Sequence, residues 1–365
     1  MTRFMAVLWL VLALMSAPHS GFAADPFRGA DPTWGLLHEP AIEQELKLSS
    51  AQSQQFRVLL NGLDAKFFPL RNQPGDQGSK QAAAILEHAA RNLETLLTKP
   101  QFRRFAEVQF RLQGTEALLQ DGLLKVMRYT PEQREQLTKV ISETRAATRE
   151  LETRVAKGEP REPLEKQYAE LKREELKAVT GVLTPAQQSI WRKALGRDFD
   201  TTRLGRPIYR APKLVDSGEW LNSEPLTLES LAGNVIVVHF YAFGCINCIR
   251  NYPTYLDWYE KFRDKKVVIL GIHTPETRAE EESAAVKNKA EGAEFKFPVL
   301  IDNAKANWAA WGNSMWPSVY LVDKHGYLRY FWPGELKWAG ATGDEWMSAR
   351  IDELLAEPDR PSPTR

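Results

Sequence analysis

Cysteine is almost absent, with two in 365 residues. Two thiols cannot build a disulfide-stapled scaffold, nor a zinc or iron–sulfur centre made of four cysteines. An excess of one charge is missing too. Lys+Arg number 48 and Asp+Glu 47, for a net charge of +1. That balance gives no whole-chain field for nucleic acid or an anionic membrane. Long apolar runs are also missing past the N-terminus, where a bilayer span would need about 20 residues. Multi-span membrane, collagen-like and low-complexity classes are thereby excluded. What remains is globular: 43% hydrophobic and 26% charged. At roughly 100–200 residues per domain, the length predicts two or three domains.

The N-terminus reads as an export signal. Thr2 and Arg3 precede an apolar run from Phe4 to Met15, and small residues follow up to Ala23 and Ala24. A basic start, a short apolar stretch and small residues before a polar one describe a cleavable signal peptide. The expectation is a signal over 1–23, cut after Ala23, and a mature protein in a bacterial periplasm. No cysteine sits at the cut to carry a lipid, so no stable membrane insertion is expected after cleavage.

Residues 24–203 are expected to form an all-α domain. From about Leu36 to Leu195 the chain is rich in Leu, Ala, Glu, Gln, Arg and Lys, which are strong helix formers. In 133–155 an apolar face repeats at helical spacing through Leu137, Val140, Ile141, Thr144, Ala147, Leu151 and Val155. Lys157-Gly158-Glu159-Pro160 breaks it. A second helix follows with Leu164, Tyr168, Leu171 and Val179 on its buried side. The two predict an antiparallel hairpin.

A short pattern recurs here: Leu48-Ser49-Ser50-Ala51-Gln52, Leu97-Thr98-Lys99-Pro100-Gln101, Tyr129-Thr130-Pro131-Glu132-Gln133 and Leu183-Thr184-Pro185-Ala186-Gln187. Each reads as a helix start. Ser or Thr caps free N–H groups, and the Gln three residues on reaches back to the cap. Proline at the first helical position lacks only a donor that would be unpaired anyway. The pattern also resembles the Leu-Thr-x-x-Gln motif of Spy-like periplasmic helical proteins, which implies a chaperone, adaptor or envelope-stress role. His38 and His88 stand isolated and read as surface or packing residues.

Composition changes near Gly205. Eight of the 11 tryptophans lie beyond it: Trp220, Trp258, Trp308, Trp311, Trp316, Trp332, Trp338 and Trp346. Strand-like runs appear at 235–241, 267–272, 298–301, 318–322 and 327–331. Helical stretches at 251–263, 276–291 and 304–312 separate them, and this alternation predicts an α/β sheet over 204–357. Residues 203–212 read as the linker and 358–365 as a disordered tail.

Both cysteines fall in Cys245-Ile246-Asn247-Cys248, directly after the apolar run 235–241. A structural disulfide is one reading, but so short a loop gains little from closure. A metal site is another. Only His239 and His273 lie nearby in sequence, and copper proteins of the Sco type space their cysteines one residue further apart. A redox dithiol is the third, and the placement favours it. A cysteine at a helix N-terminus meets the positive end of the helix dipole, which favours thiolate. The second, one turn on, can resolve a mixed disulfide.

The segment 237–253, which carries Gly244, the two cysteines and Pro253, resembles the active-site stretch of the thioredoxin superfamily. It is most similar to the TlpA/ResA and DipZ-type exported thioredoxins. Pro253 matches the family's helix-kinking proline. Gly271-Ile272-His273-Thr274-Pro275-Glu276 resembles the DipZ segment after the next strand. Trp316-Pro317-Ser318 resembles the cis-proline segment, with Lys324-His325-Gly326 as a hairpin turn. The resemblance spans about 209–355.

It implies an exported thiol–disulfide oxidoreductase acting on protein disulfides or dithiols without metal or organic cofactor, recharged by a membrane redox partner. Cys245 would attack and Cys248 resolve. Pro317 would face the pair in the cis form, with Trp316 flanking the groove. Asn247 lies between the cysteines. Three positions depart from the family. Gly244 stands where thioredoxins carry Trp. His239 stands at the buried acid and reads either as a general base toward Cys248 or as a core histidine. Asn251 stands where ResA-like proteins carry Glu, which disfavours a role in cytochrome c maturation. A peroxiredoxin reading lacks its signature, since Val238 and Ala242 occupy its Pro and Thr positions.

Overall fold

The computed structural model describes residues 32–71, 75–156, 159–205 and 208–358. The expected signal over 1–23 lies outside the described residues, as does the expected tail beyond 358. Two compact units form, and each draws on separate stretches of chain. Of the described residues, one comprises 39–49, 94–156 and 159–205; the other comprises 32–38, 50–71, 75–93 and 208–358. A single cut at 203/204 does not divide them. Residues 32–38 and 50–93 are helical by composition yet belong with the sheet.

The helical unit is built around the hairpin of helices Pro131–Ala156 and Arg161–Val182. Leu137, Ile141 and Val179 are buried beside Ala117, Leu118, Leu123, Met127, Leu183 and Trp191. Val140, Ala147, Leu151 and Val155, on the same expected face, are only half-buried.

The recurrent Gln motifs have a definite structural use. Thr98–Gln101, Thr130–Gln133 and Thr184–Gln187 each form a reciprocal capping box. Each Gln amide then reaches the last carbonyl of a different helix. Gln101 donates to Leu46 at 3.1 Å, Gln133 to Val182 at 2.8 Å and Gln187 to Met127 at 3.0 Å. Those carbonyls have no partner within their own helices. Gln133 and Gln187 also bond each other reciprocally, at 3.0 and 3.1 Å. One side chain therefore starts one helix and closes another, so the motif latches helices together.

The second unit holds seven strands: β1 Tyr209–Arg210, β2 Trp220–Leu221, β3 Val235–Tyr241, β4 Val267–His273, β5 Val299–Ile301, β6 Ser318–Val322 and β7 Tyr327–Pro333. Their order is β1-β7-β6-β3-β4-β5-β2. β3 lies parallel to β4 and antiparallel to β6, and all seven of its residues are buried. A near-continuous apolar run is what a central strand covered on both faces requires. β1 and β2 are edge strands of two residues each, too short for any periodicity to reveal. β1 falls inside the stretch expected as a linker and pairs with β7. The helix Gly343–Ala356 packs on β3 and β7 and buries Met347, Ile351 and Leu354.

Residues 32–38 and 50–71 join this unit through a buried polar knot. Trp34 stacks on Phe67 at 4.4 Å and lies against Tyr209 at 4.5 Å. Asp64, 1% exposed, accepts from Trp34 Nε1 at 2.9 Å and from the Arg210 N–H at 2.7 Å. His38 is not isolated, since its Nε2 pairs with Asp64 Oδ1 at 2.6 Å. Its partner is 26 residues away, beyond the reach of local patterns. Arg71 donates to the Tyr320 hydroxyl at 2.8 Å and lies over Phe331.

Candidate active site

β3 delivers the chain to one end of the sheet, where residues 242–245 turn into the helix Ile246–Phe262. Cys245 is its N-cap, and its carbonyl accepts from the N–H groups of Cys248 and Ile249, each at 3.0 Å. Cys248 sits one turn in. β6 runs antiparallel to β3, with Ser318 opposite Phe240, so β6 starts where β3 ends. That places Pro317 at the cysteine end of the sheet. The Trp316–Pro317 peptide bond is cis. Pro253 lies within the cysteine helix, where it cannot donate to the carbonyl one turn back.

The two thiols have been made unlike. Cys245 is half-buried, and Cys248 is fully buried. The Cys248 thiol donates to Cys245 and lowers its pKa to about 7; burial opposes this, the Cys248 and Asn247 N–H groups assist it, and the Glu276 charge opposes it. Burial pushes Cys248 far up, and its bond to Cys245 adds to that rise. The half-exposed sulfur is therefore the readier thiolate, and the buried one is held as thiol.

His239 is fully buried below this end of β3. It stacks on Tyr255 at 4.0 Å, with Tyr241, Phe295 and Phe297 around it. Among the described residues neither ring nitrogen has a hydrogen-bond partner, and burial lowers its pKa to about 3. His273 is also buried with both nitrogens unpartnered and stacks on Phe243. Burial lowers it to about 4, with the Glu280 charge opposing.

Asn251 is buried and works as a cross-link. Its Oδ1 accepts from the Leu336 N–H at 2.9 Å, and its amide donates to the Tyr255 hydroxyl at 3.1 Å. Trp316 is fixed by donation to the Thr274 carbonyl at 3.0 Å and by stacking on Trp308 at 3.9 Å. Ile246, Ile249 and Met315 are exposed next to these features. Among the described residues, no group of three or more His, Cys, Asp or Glu could hold a metal.

The structure thus gathers Cys245, Cys248, Gly244 and Asn247 at the helix start, and brings Pro317 to the same end of the sheet. It places His239 in an aromatic cage. Sequence reasoning passed over Glu280, which is buried and accepts from the Gly244 N–H at 2.7 Å. Its signal was legible: Thr277-Arg278-Ala279-Glu280 spells a capping box, and that box is present.

Comparison with known proteins agrees with this geometry. Residues 211–331 match the AhpC/TSA family. The chain is similar to Protein DipZ of Mycobacterium bovis, at 36% identity over 128 residues, which are 34% of this chain and 18% of DipZ. It is also similar to the thiol-disulfide oxidoreductase YkuV of Bacillus subtilis, at 28% identity, covering 42% of this chain and 98% of YkuV. A crystal structure of a thioredoxin-like superfamily protein shares 30% identity, covering 41% of this chain and 97% of that one, at a TM-score of 0.37. The chain spans less than a fifth of the length of the DipZ proteins it matches. The C-terminal half of this protein is a thioredoxin-like domain similar to proteins named thiol-disulfide oxidoreductases.

Proposed function

We propose that this protein is an exported thiol–disulfide oxidoreductase that exchanges disulfides with protein substrates through Cys245 and Cys248. The observation that carries this reading is the asymmetry of the pair: a half-exposed thiol lowered to about 7 beside a buried one raised far above its ordinary value. In the reducing direction, the Cys245 thiolate attacks one sulfur of a substrate disulfide, and the other sulfur leaves as thiolate. Cys248 then gives up its proton and attacks Cys245. The Cys245–substrate bond breaks, and the second substrate sulfur leaves. Two electrons have moved from the dithiol to the substrate. Pro317 and Trp316 flank the site where the substrate chain would lie.

Export rests on the N-terminal signal pattern, and a periplasmic site implies a membrane partner to recharge the pair. Three of the four Gln motifs serve as helix latches, so these motifs by themselves do not call for a chaperone or adaptor role of the helical half.

The test is the equilibrium reduction potential of the pair, from alkylation across glutathione buffers. A value near about −270 mV, as in thioredoxin, would make the pair a reductant, and one near about −120 mV, as in DsbA, would make it a disulfide donor. A pair that never cycles would defeat the proposal. Steady peroxide reduction would move it to the peroxiredoxin reading.

A further inference from the structure

Glu280 takes no part in the exchange described above, yet it is tied directly to the cysteine loop. It is 2% exposed. One carboxylate oxygen accepts from the Gly244 N–H at 2.7 Å. The other accepts from the Glu276 N–H at 2.9 Å, the Thr277 N–H at 2.7 Å and the Thr277 hydroxyl at 3.1 Å. A single carboxylate thus clasps the loop after β3 to the loop after β4. Burial acts to raise its pKa, but the hydrogen bonds from Gly244, Thr277 and Glu276 outweigh it and hold the group below its ordinary value. Such charge-assisted bonds are shorter and roughly twice as strong as neutral ones.

Gly244 is matched to this clasp. A Cβ at 244 would stand 2.8 Å from the Glu280 oxygen and 3.4 Å from its carboxyl carbon. Since Glu280 is held by four donors, it cannot swing away cheaply. The close approach explains why position 244 carries neither the tryptophan of thioredoxins nor any other side chain.

We infer that Glu280 is a positioning residue for Cys245, holding Gly244 so that the next residue sits as the cap of the cysteine helix. The inference rests on the dithiol reading. Two effects of removing Glu280 have opposite signs. Loss of its negative charge alone would favour a nearby thiolate and lower the Cys245 midpoint. Loss of the clasp would free the cap, loosen Cys245 from the positive end of the helix and raise the midpoint. The other titratable groups that act on Cys245 are Cys248, Tyr252 and Tyr255 on its own helix and Glu276 on the β4 loop.

The experiment follows the rate of Cys245 alkylation against pH in the reduced full-length chain, resolved by peptide mass spectrometry. Glu280→Gln keeps one acceptor oxygen and can serve only one of the two loops. Glu280→Ala serves neither. The midpoint is expected to rise from wild type to Gln to Ala, by about one pH unit in the last, which is about tenfold less thiolate below the midpoint. Gly244→Ala presses on the clasp from the other side with the carboxylate present, and it carries the test if Glu280→Ala does not fold. It should raise the midpoint as well, and should add nothing in the Glu280→Gln background. Midpoints that stay put or fall in folded variants, while the wild-type pair cycles, would overturn the clasp alone. A wild-type pair that does not cycle would overturn the dithiol reading beneath it.

Discussion

Thr130-x-x-Gln133 in the helical unit and Cys245-x-x-Cys248 in the sheet unit occupy the same two helix positions, the cap and the third residue. In the first, every polar group finds a partner. The Gln closes its own cap, a foreign helix end and a second Gln that does the same in return. The arrangement is reciprocal, so the two Gln residues have like hydrogen-bond partners. In the second, the same spacing places one sulfur at the half-exposed cap and the other in the core. Burial and mutual hydrogen bonding drive their proton affinities apart. Like residues in like surroundings make structure; like residues in unlike surroundings make chemistry.

The strongest way to break this comparison is to remove one sulfur at a time. Cys245→Ser should reduce insulin-disulfide reduction to background. Cys248→Ser should instead accumulate mixed disulfides, visible as reducible adducts on a gel. Equal behaviour of the two variants would mean that the asymmetry does not direct the reaction.

A second prediction concerns acid. His239 has a folded pKa of about 3, depressed from 6.5 by burial. A depressed value means that the unfolded state binds the proton first. Stability from this group is complete above pH 6.5 and is lost as pH falls towards 3. By pH 4 the loss is on the order of 3 kcal/mol, from about 1.4 kcal/mol per unit. His273, lowered to about 4, acts in the same direction. Urea denaturation of His239→Leu should therefore show a flatter acid limb than wild type, with exchange activity at pH 7 retained. A large loss of exchange with the acid limb unchanged would assign His239 the general-base role instead.

The smallest effect lies in the helical unit. Gln133→Ala and Gln187→Ala should each cost about 1–2 kcal/mol, because each leaves a helix-end carbonyl without its partner and removes a hydrogen bond from the other Gln. The double variant should cost less than the sum, with a coupling of about 1 kcal/mol in a double-mutant cycle. None of the three should move the Cys245 alkylation profile. Strict additivity would mean that the reciprocal bond contributes nothing.

How far the sequence could be read depended on the range of each interaction. The central strand Val235–Tyr241 was legible because burial on both faces leaves an unbroken apolar run, and its limits match. The helix hairpin was legible from its spacing, although its face is only half-buried past Thr144. The two-residue strands were not, since two residues carry no period. The cysteine helix begins at Ile246, five residues before its amphipathic pattern suggested. Its first turn holds exposed Ile and Asn and the thiols themselves, so function there displaces the pattern.

By itself the sequence determined which residues could do chemistry. There are two cysteines at capping spacing after a buried strand, a proline before a later strand, and too little cysteine for a disulfide scaffold or a four-cysteine metal centre. Tertiary structure alone decided what each neighbour does. Asp64 claims His38 from 26 residues away, and Glu280 claims Gly244 from 36. The Gln motifs become latches by meeting helix ends 49 to 60 residues off. Patterns along a chain record the period of one element. A hydrogen bond between two elements has no period, and only folding brings its partners together.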